Sequence, residues 1–398
     1  VSRPRLLFIS PRYLFPLNEG GKIRTVGMLR AMKGGYFDIT LASPAPAGAA
    51  RHAAEIASVA DRFVSWPERH SGAVAKALGV LGPLPASVAT DRSTEGKRVV
   101  AEALAQGADV IVADFPHSAV LLPDTLTPAS VMFTHNVEAE ILERHAAVAT
   151  GWRRLVWRRE AAKMDAFERT TLRRFTAVVT VSDRDAVALK QRFGLSRVPR
   201  IETGVDLDFY AYQAPRADAN TAVFAGAMDS RSNIDGIEFL LRQVWPLVHA
   251  KRPQTEMLIA GRNPPAALVA EAEASGMNWR FTGSVADIRP HLHDGDVSLI
   301  PLRVGSGTRL KAFEAMASGL PVISTELGVE GLGLTPGEHY VQADSGVDFA
   351  DSILRLLGDQ AERERLSGTG RALLEARYGW PIIARQFEAI CQDAIKRL

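Results

Sequence analysis

The chain has 398 residues, 46% of them hydrophobic and 23% charged, with a formal net charge of +2. That length suits two domains with separate cores, and the near-neutral balance gives no support for a general nucleic-acid binder. The single cysteine, Cys391, excludes an intramolecular disulfide and a cysteine-based zinc site and is compatible with a reducing cytoplasm.

No stretch of 18 apolar residues exists, so no membrane-spanning helix is expected. Leu6 to Ser10 reads as a buried strand, its apolar run too short for a signal-peptide core. A loop over 11–19 follows, and Gly20-Gly21-Lys22-Ile23-Arg24 opens a helix to about Lys33. Paired glycines, a helix N-terminus and nearby basic side chains suit an anion. Further strands are expected at Phe37 to Ala42 and Arg62 to Trp66. Helix is expected over most of 71–105, broken at Gly82-Pro83-Leu84-Pro85. The short all-apolar runs at 109–113 and 130–133 are what a parallel sheet requires. Thr134-His135-Asn136-Val137-Glu138 comes directly after the second run, at the strand end where open α/β sheets bind ligands.

Residues 151–174 predict a long helix rich in arginine and tryptophan. Two readings stand: a solvated charged face, or peripheral contact with an anionic membrane surface. Ala177 to Val181 is another strand, with Ser182 and Asp183 starting a helix. The expected division is a first domain over 1–204, a linker over 205–220 and a second domain over 221–380. The closing helix 381–398 is free to pack back on the first domain. Within 221–380 the alternation restarts, with strands at 222–225, 256–260, 279–282, 297–301, 321–324 and 339–341. Glycines follow most of them: Gly226, Gly261, Gly283, Gly305 and Gly328.

The most informative stretch runs from Val304 to Pro321. With the apolar runs at 297–302 and 321–324 on either side, it reads as strand, glycine turn, helix and strand, the repeating unit of a parallel α/β sheet. Gly305 and Gly307 allow close backbone approach, Arg309 and Lys311 bring positive charge to the helix end, and Glu314 lies one turn deeper on the same face. A nucleoside diphosphate has both the anion and the hydroxyls this would suit. An ordinary tight turn with a helix cap is the plainer alternative. Two acidic patterns, Asp183-Arg184-Asp185 and Asp206-Leu207-Asp208, invite a metal reading, but no further oxygen ligands accompany them, and no metal site is expected.

Pro301 through Gly333, containing GSGTRLKAFEAMASGLPVIST and then ELGVEGL, resembles the signature of family-4 GT-B glycosyltransferases. Gly226 to Gly236, Ile259-Ala260-Gly261-Arg262, Phe281 to Val285 and Gly204 to Asp208 fall in that family's order. The Gly20-Gly21 loop, His135 to Glu138 and Val181-Ser182-Asp183 match more loosely. The resemblance implies an α/β fold of two doubly wound, Rossmann-like domains facing a central cleft. It also implies a retaining, metal-independent transfer of sugar from a nucleotide diphosphate sugar to a hydroxyl acceptor, without a bound cofactor.

By the same resemblance, Glu314 grips the ribose. Lys311 and Arg309, with the amides of Gly307 and Thr308, face the diphosphate. Ser284 and Val285 read the base, Gly20 and Gly21 close over donor phosphate and acceptor, and His135 stands near the reacting centre. Gly261 and Arg231 complete the donor side. Two departures stand out. Ser306 occupies the position eight before Glu314 where the family has a glutamate contacting the sugar. Ala227 and Ser232 replace the usual Arg and Lys, with Arg231 adjacent. A nucleotide-sugar epimerase and a weakly catalytic nucleotide-sugar-binding subunit are the alternatives. The expected location is the cytoplasm, with peripheral contact at the inner face of the membrane.

Overall fold

The computed structural model describes residues 2–17, 19–68, 79–304 and 310–397. Two compact units divide the chain: Val1–Gly204 with Trp380–Leu398, and Val205–Gly379.

The first unit is built on β1 (Arg5–Ile9), β2 (Asp38–Ala45), β3 (Arg62–Pro67), β4 (Val110–Asp114), β5 (Ala129–Phe133) and β6 (Ala177–Val179). They form one parallel sheet in the order β3-β2-β1-β4-β5-β6. Because side chains alternate along a strand, each apolar run feeds two cores at once. Leu6, Phe8, Val110, Val112, Val131 and Phe133 enter one. Leu7, Ile9, Ile111, Ala113 and Met132 enter the other.

The second unit repeats the plan with β7 (Thr221–Ala225), β8 (Glu256–Ala260), β9 (Trp279–Phe281), β10 (Val297–Ile300), β11 (Val322–Ser324) and β12 (Val341–Gln342). Their order is β12-β11-β10-β7-β8-β9, all parallel. In each sheet the first strand lies beside the fourth. The order therefore reverses between β1 and β4, and again between β7 and β10, and such switch points open a crevice beyond the carboxyl ends of the strands.

Residues 205–220 belong to the second unit. The Val205 amide donates to the Tyr378 carbonyl at 2.8 Å, and Arg363 donates to the carbonyls of Arg216 and Ala217. The closing helix, Trp380–Ile395, belongs to the first. Its buried residues Trp380, Ile383, Ala384, Phe387, Cys391 and Ala394 recur every three or four positions, the stripe of an amphipathic helix. Phe387 meets Phe133 of β5 with ring centroids 5.3 Å apart. Cys391 is fully buried, and burial pushes its thiol far above the usual range.

The helix Glu138–Val148 has no counterpart in the sequence reading. Its N-cap position is Val137, and no side chain caps it locally. The cap comes from Glu168, whose carboxylate accepts from the amides of Glu138 at 3.0 Å and Ala139 at 2.9 Å. A start signal supplied by a residue 30 positions away leaves no local signature. The helix expected over 151–174 is α-helical over Gly151–Thr171 and closes with a 3₁₀ turn, Leu172–Arg174. Of the 71–105 stretch, residues 71–78 lie outside the described residues. The helices Ala86–Asp91 and Thr94–Ala105 follow, the second capped by Ser93.

Candidate active site

Two clusters of polar side chains stand at the carboxyl ends of the strands, one in each unit.

In the second unit, Lys311 lies in the first turn of the helix Leu310–Ala317, which follows β10. Its Nζ donates to Asn233 Oδ1 at 2.7 Å and lies 4.4 Å from the ring centroid of Phe224 on β7. Asn233 is itself fixed, its Nδ2 donating to the Ala227 carbonyl at 2.6 Å. The ammonium thus bridges the switch point from the β10 side to the β7 side. It also lies against Gly226, where a Cβ would collide with Nζ. Gly261, beyond β8, is the tightest point: a Cβ there would fall on the Gly226 carbonyl oxygen. Only glycine allows the two loops this contact. The Gly261 amide donates to Thr282 Oγ1 at 3.3 Å, which ties in the loop beyond β9.

Glu314 follows Lys311 by one turn. Burial pushes its carboxyl above the usual range, while a hydrogen bond from the Tyr210 phenol and the charge of Lys311 pull it back. Tyr210 is raised in turn, by burial and by the facing Glu314 carboxylate. Ser284 is exposed and Val285 half-buried in the loop after β9, and Arg231 is exposed at the start of the helix Arg231–Phe239. Gly305, Ser306, Gly307, Thr308 and Arg309 lie outside the described residues.

In the first unit, His135 is buried just beyond β5. Its Nε2 lies 2.6 Å from Asp114 Oδ1 at the end of β4, and its Nδ1 lies 2.8 Å from Nη1 of the buried Arg24. Arginine can only donate, so Nδ1 accepts; the proton therefore sits on Nε2 and is donated to the carboxylate. Burial, and secondarily Arg24, lower the imidazole pKa against the pull of Asp114, so the ring is neutral. His135, expected near a reacting centre, has partners on both ring nitrogens.

Asp114 Oδ2 accepts from Thr25 Oγ1 at 3.0 Å, and Arg24 also donates to Thr203 Oγ1 at 2.8 Å. Burial brings Arg24 down to about 10, which leaves it charged at neutral pH. Phe115 stacks on the imidazole, with centroids 4.0 Å apart. It adopts a φ of 62°, a backbone conformation that costs a non-glycine residue roughly 1–3 kcal/mol. Gly21, in the first turn of the helix Gly20–Met32, faces this ring, and a Cβ there would stand 2.9 Å from Phe115 Cζ. Among the described residues, no side chain caps that helix start.

Sequence reasoning assigns no role to Asp114, Asn233 or Tyr210, and it reads Arg24 as a cation for an anion rather than as a partner of His135. Asp114 had one usable signal, a carboxylate ending an apolar strand beside the strand that leads to His135. The acidic patterns are absorbed elsewhere. Asp183 pairs with Arg200 at 2.9 Å, Asp185 with Arg184 at 3.1 Å, and Asp206 accepts from the Phe209 amide. Among the described residues, no group of three or more His, Cys, Asp or Glu side chains gathers at a metal-sized point.

Residues 219–359 match the family model of glycosyl transferases group 1. The match falls within the second unit. Lys311, Glu314, Gly226 and Gly261 all fall inside the matched residues. The phosphatidyl-myo-inositol mannosyltransferase of Mycobacterium leprae is 30% identical over 170 residues, 42% of this chain and 44% of that protein. The MMP alpha-(1->4)-mannosyltransferase of Mycolicibacterium hassiacum is 26% identical over 264 residues, 64% of this chain and 63% of that one. The chain spans only about a third to just over half the length of the first curated relatives it matches, at 36%, 44% and 55%. Among solved structures, sucrose-phosphate synthase from Thermosynechococcus elongatus aligns over 100% of both chains with a TM-score of 0.69 at 19% identity. The chain has the α/β fold of the GT-B glycosyltransferases.

Proposed function

We propose that the chain is a glycosyltransferase that moves a sugar from a nucleotide diphosphate sugar to a hydroxyl of a glycan, lipid-linked or small-molecule acceptor. The observation that carries this reading is the placement of Lys311 and Glu314. Both project from the helix after β10, within the residues that match the group 1 family model, at the switch point of the second unit's sheet.

Lys311 supplies positive charge to the diphosphate, with Arg309 and the amides of Gly307 and Thr308 assigned the same task. Glu314 accepts from the ribose hydroxyls, and its contact with Tyr210 holds the carboxylate in place until the nucleotide arrives. Ser284 and Val285 lie on the base side, and Gly261 and Arg231 complete the donor loops. As the bond to the sugar breaks, negative charge grows on the leaving diphosphate, and preorganised cationic groups stabilise that charge more than they stabilise the bound donor. Side chains and helix amides carry the neutralisation in this reading, so it needs no metal. Retention of configuration is assigned with it, the leaving phosphate taking the acceptor proton.

His135 enters as a positioning residue. It joins Asp114 to Arg24 and so fixes the start of the helix Gly20–Met32, where Gly20 and Gly21 are assigned to donor phosphate and acceptor. The reading also includes peripheral contact with an anionic membrane through residues 151–174. Among the described residues, no helix is long and apolar enough to cross a membrane.

The test is nucleotide release from a panel of nucleotide sugars with sugar and lipid acceptors, alongside calorimetry with nucleoside diphosphates. Tight binding of one diphosphate, abolished by Glu314→Ala, and acceptor-dependent release are the expected results. No binding of any nucleoside diphosphate would sink the reading. Product formed from donor without acceptor would replace it with epimerisation.

A further inference from the structure

The helix Gly151–Thr171 divides along its length. Its inner part is committed to the fold: Glu160, Ala161, Met164, Glu168 and Thr171 are buried. The basic residues there are taken up. Lys163 pairs with Glu160 at 2.6 Å and Arg169 with Asp165 at 3.1 Å, while Arg173 and Arg174, in the 3₁₀ turn that follows, donate to the carbonyls of Phe193 and Pro123.

The first nine residues, GWRRLVWRR, differ. They carry Arg153, Arg154, Arg158 and Arg159 and no acid. Among the described residues, no carboxylate pairs with any of the four. Arg159 donates to the Leu81 carbonyl at 3.3 Å, and Arg153 lies 5.8 Å from the Trp152 ring. Arginines in the first turns of a helix stand at its positive end, where the macrodipole repels them. Their placement is unfavourable until an external anion compensates it.

Apolar side chains collect at the same place. The four most exposed large hydrophobics among the described residues are Val148 at 82%, Leu81 and Trp152 at 71%, and Leu155 at 67%. Val148 ends the preceding helix, Trp152 and Leu155 begin this one, and Leu81 is tied to it through Arg159. Arg154 and Arg158 also line a groove of about 570 Å³ with four alanines and with Glu143 and Asp165, whose carboxylates are both taken by Arg192. Guanidinium groups beside small apolar side chains suit a phosphate headgroup whose acyl chains continue into hydrocarbon.

We propose that this hairpin tip, residues 148–159 with Leu81, docks on a bilayer containing anionic phospholipid. Trp152, Leu155, Val148 and Leu81 enter the interface, and the four arginines meet lipid phosphates. Unpaired cations around an exposed indole and aliphatic side chains complement that surface in both charge and polarity. The inference rests on the membrane contact included above and narrows it from residues 151–174 to the tip.

Co-sedimentation with vesicles of phosphatidylglycerol and phosphatidylcholine, and of phosphatidylcholine alone, tests it. The expected result is binding to the anionic vesicles that weakens as salt rises, at roughly tenfold or more over the neutral ones. Trp152→Ala/Leu155→Ala, and separately Arg153→Gln/Arg154→Gln/Arg158→Gln, should each lose roughly tenfold, while Arg169→Gln binds as the native chain does. All these side chains are exposed, and circular dichroism will verify folding. A second measurement is quenching of tryptophan fluorescence by brominated phosphatidylglycerol, expected for the native chain and lost in Trp152→Phe. If the native chain binds and the tip variants bind equally well, the membrane contact stands and the tip assignment falls. If the native chain binds neither vesicle, both fall, and sugar transfer to a soluble acceptor remains a separate question.

Discussion

Asp114 and His135 share a hydrogen bond of 2.6 Å although 21 positions separate them in the chain. The contact follows from strand pairing. β4 and β5 are neighbours, with Asp114 opposite Phe133, so the residue two beyond Phe133 arrives beside the carboxylate. Arg24 closes the group from the helix after β1, the neighbour of β4 on its other side. One buried anion, one neutral ring and one buried cation thereby satisfy one another.

Removing the anion should therefore cost more than one hydrogen bond. Asp114→Ala leaves the Nε2 proton of His135 unpaired and Arg24 without its facing carboxylate. A loss of about 3–5 kcal/mol is expected for breaking such a group. Urea denaturation reads it directly, and a loss below 1 kcal/mol would show that the three residues are not energetically coupled.

The bridge from Lys311 to Asn233 carries a binding prediction. Lys311→Met should weaken nucleoside diphosphate binding by roughly tenfold or more, since a hydrogen-bonded charge contributes about 1.5–3 kcal/mol. Asn233→Ala keeps the charge but releases its position, so a smaller loss is expected. Calorimetry on both variants checks the order; an Asn233→Ala effect as large as that of Lys311→Met would assign Asn233 a direct role.

Gly261→Ala tests the contact between the loops beyond β7 and β8. Its methyl group would meet the Gly226 carbonyl, a backbone atom that cannot rotate away. Overpacking of this kind costs roughly 1–3 kcal/mol, and displacement of Gly226 should also disturb Lys311. Thermal denaturation and diphosphate titration are both expected to show losses.

Glu168 predicts a pH dependence. Burial raises its carboxyl from 4.5 to about 7, with the Ala139 and Glu138 amides opposing the rise. A carboxyl raised on folding contributes stability that is fully present below about pH 4.5. That contribution is lost as pH rises to about 7, because the unfolded chain ionises first. The effect is on the order of 3 kcal/mol. Glu168→Gln cannot ionise, so its stability relative to the native chain should climb between pH 4.5 and 7 and then level off. A difference independent of pH would remove the explanation.

Much of the architecture is legible in local patterns. The runs at Leu6, Val110, Val131, Phe224, Leu258 and Leu299 are short, apolar and bounded by turn residues, and all lie in strands of the two parallel sheets. The glycines after β7 and β8 likewise stand where backbones approach each other. The helix Glu138–Val148 is illegible because its cap comes from Glu168, and the stripe of the closing helix leaves open which unit it joins.

By itself, then, the sequence determined the alternation of strands and helices, the two-unit plan and the helix that bears Lys311 and Glu314. Those properties depend on side-chain period and backbone permissiveness, which act between near neighbours in the chain. Only the tertiary structure decided that His135 is buried between Asp114 and Arg24, that Tyr210 meets Glu314, and that Asn233 receives Lys311. Each pairing depends on which strands lie side by side, and strand order is set by core packing over the whole sheet rather than by any local stretch of residues.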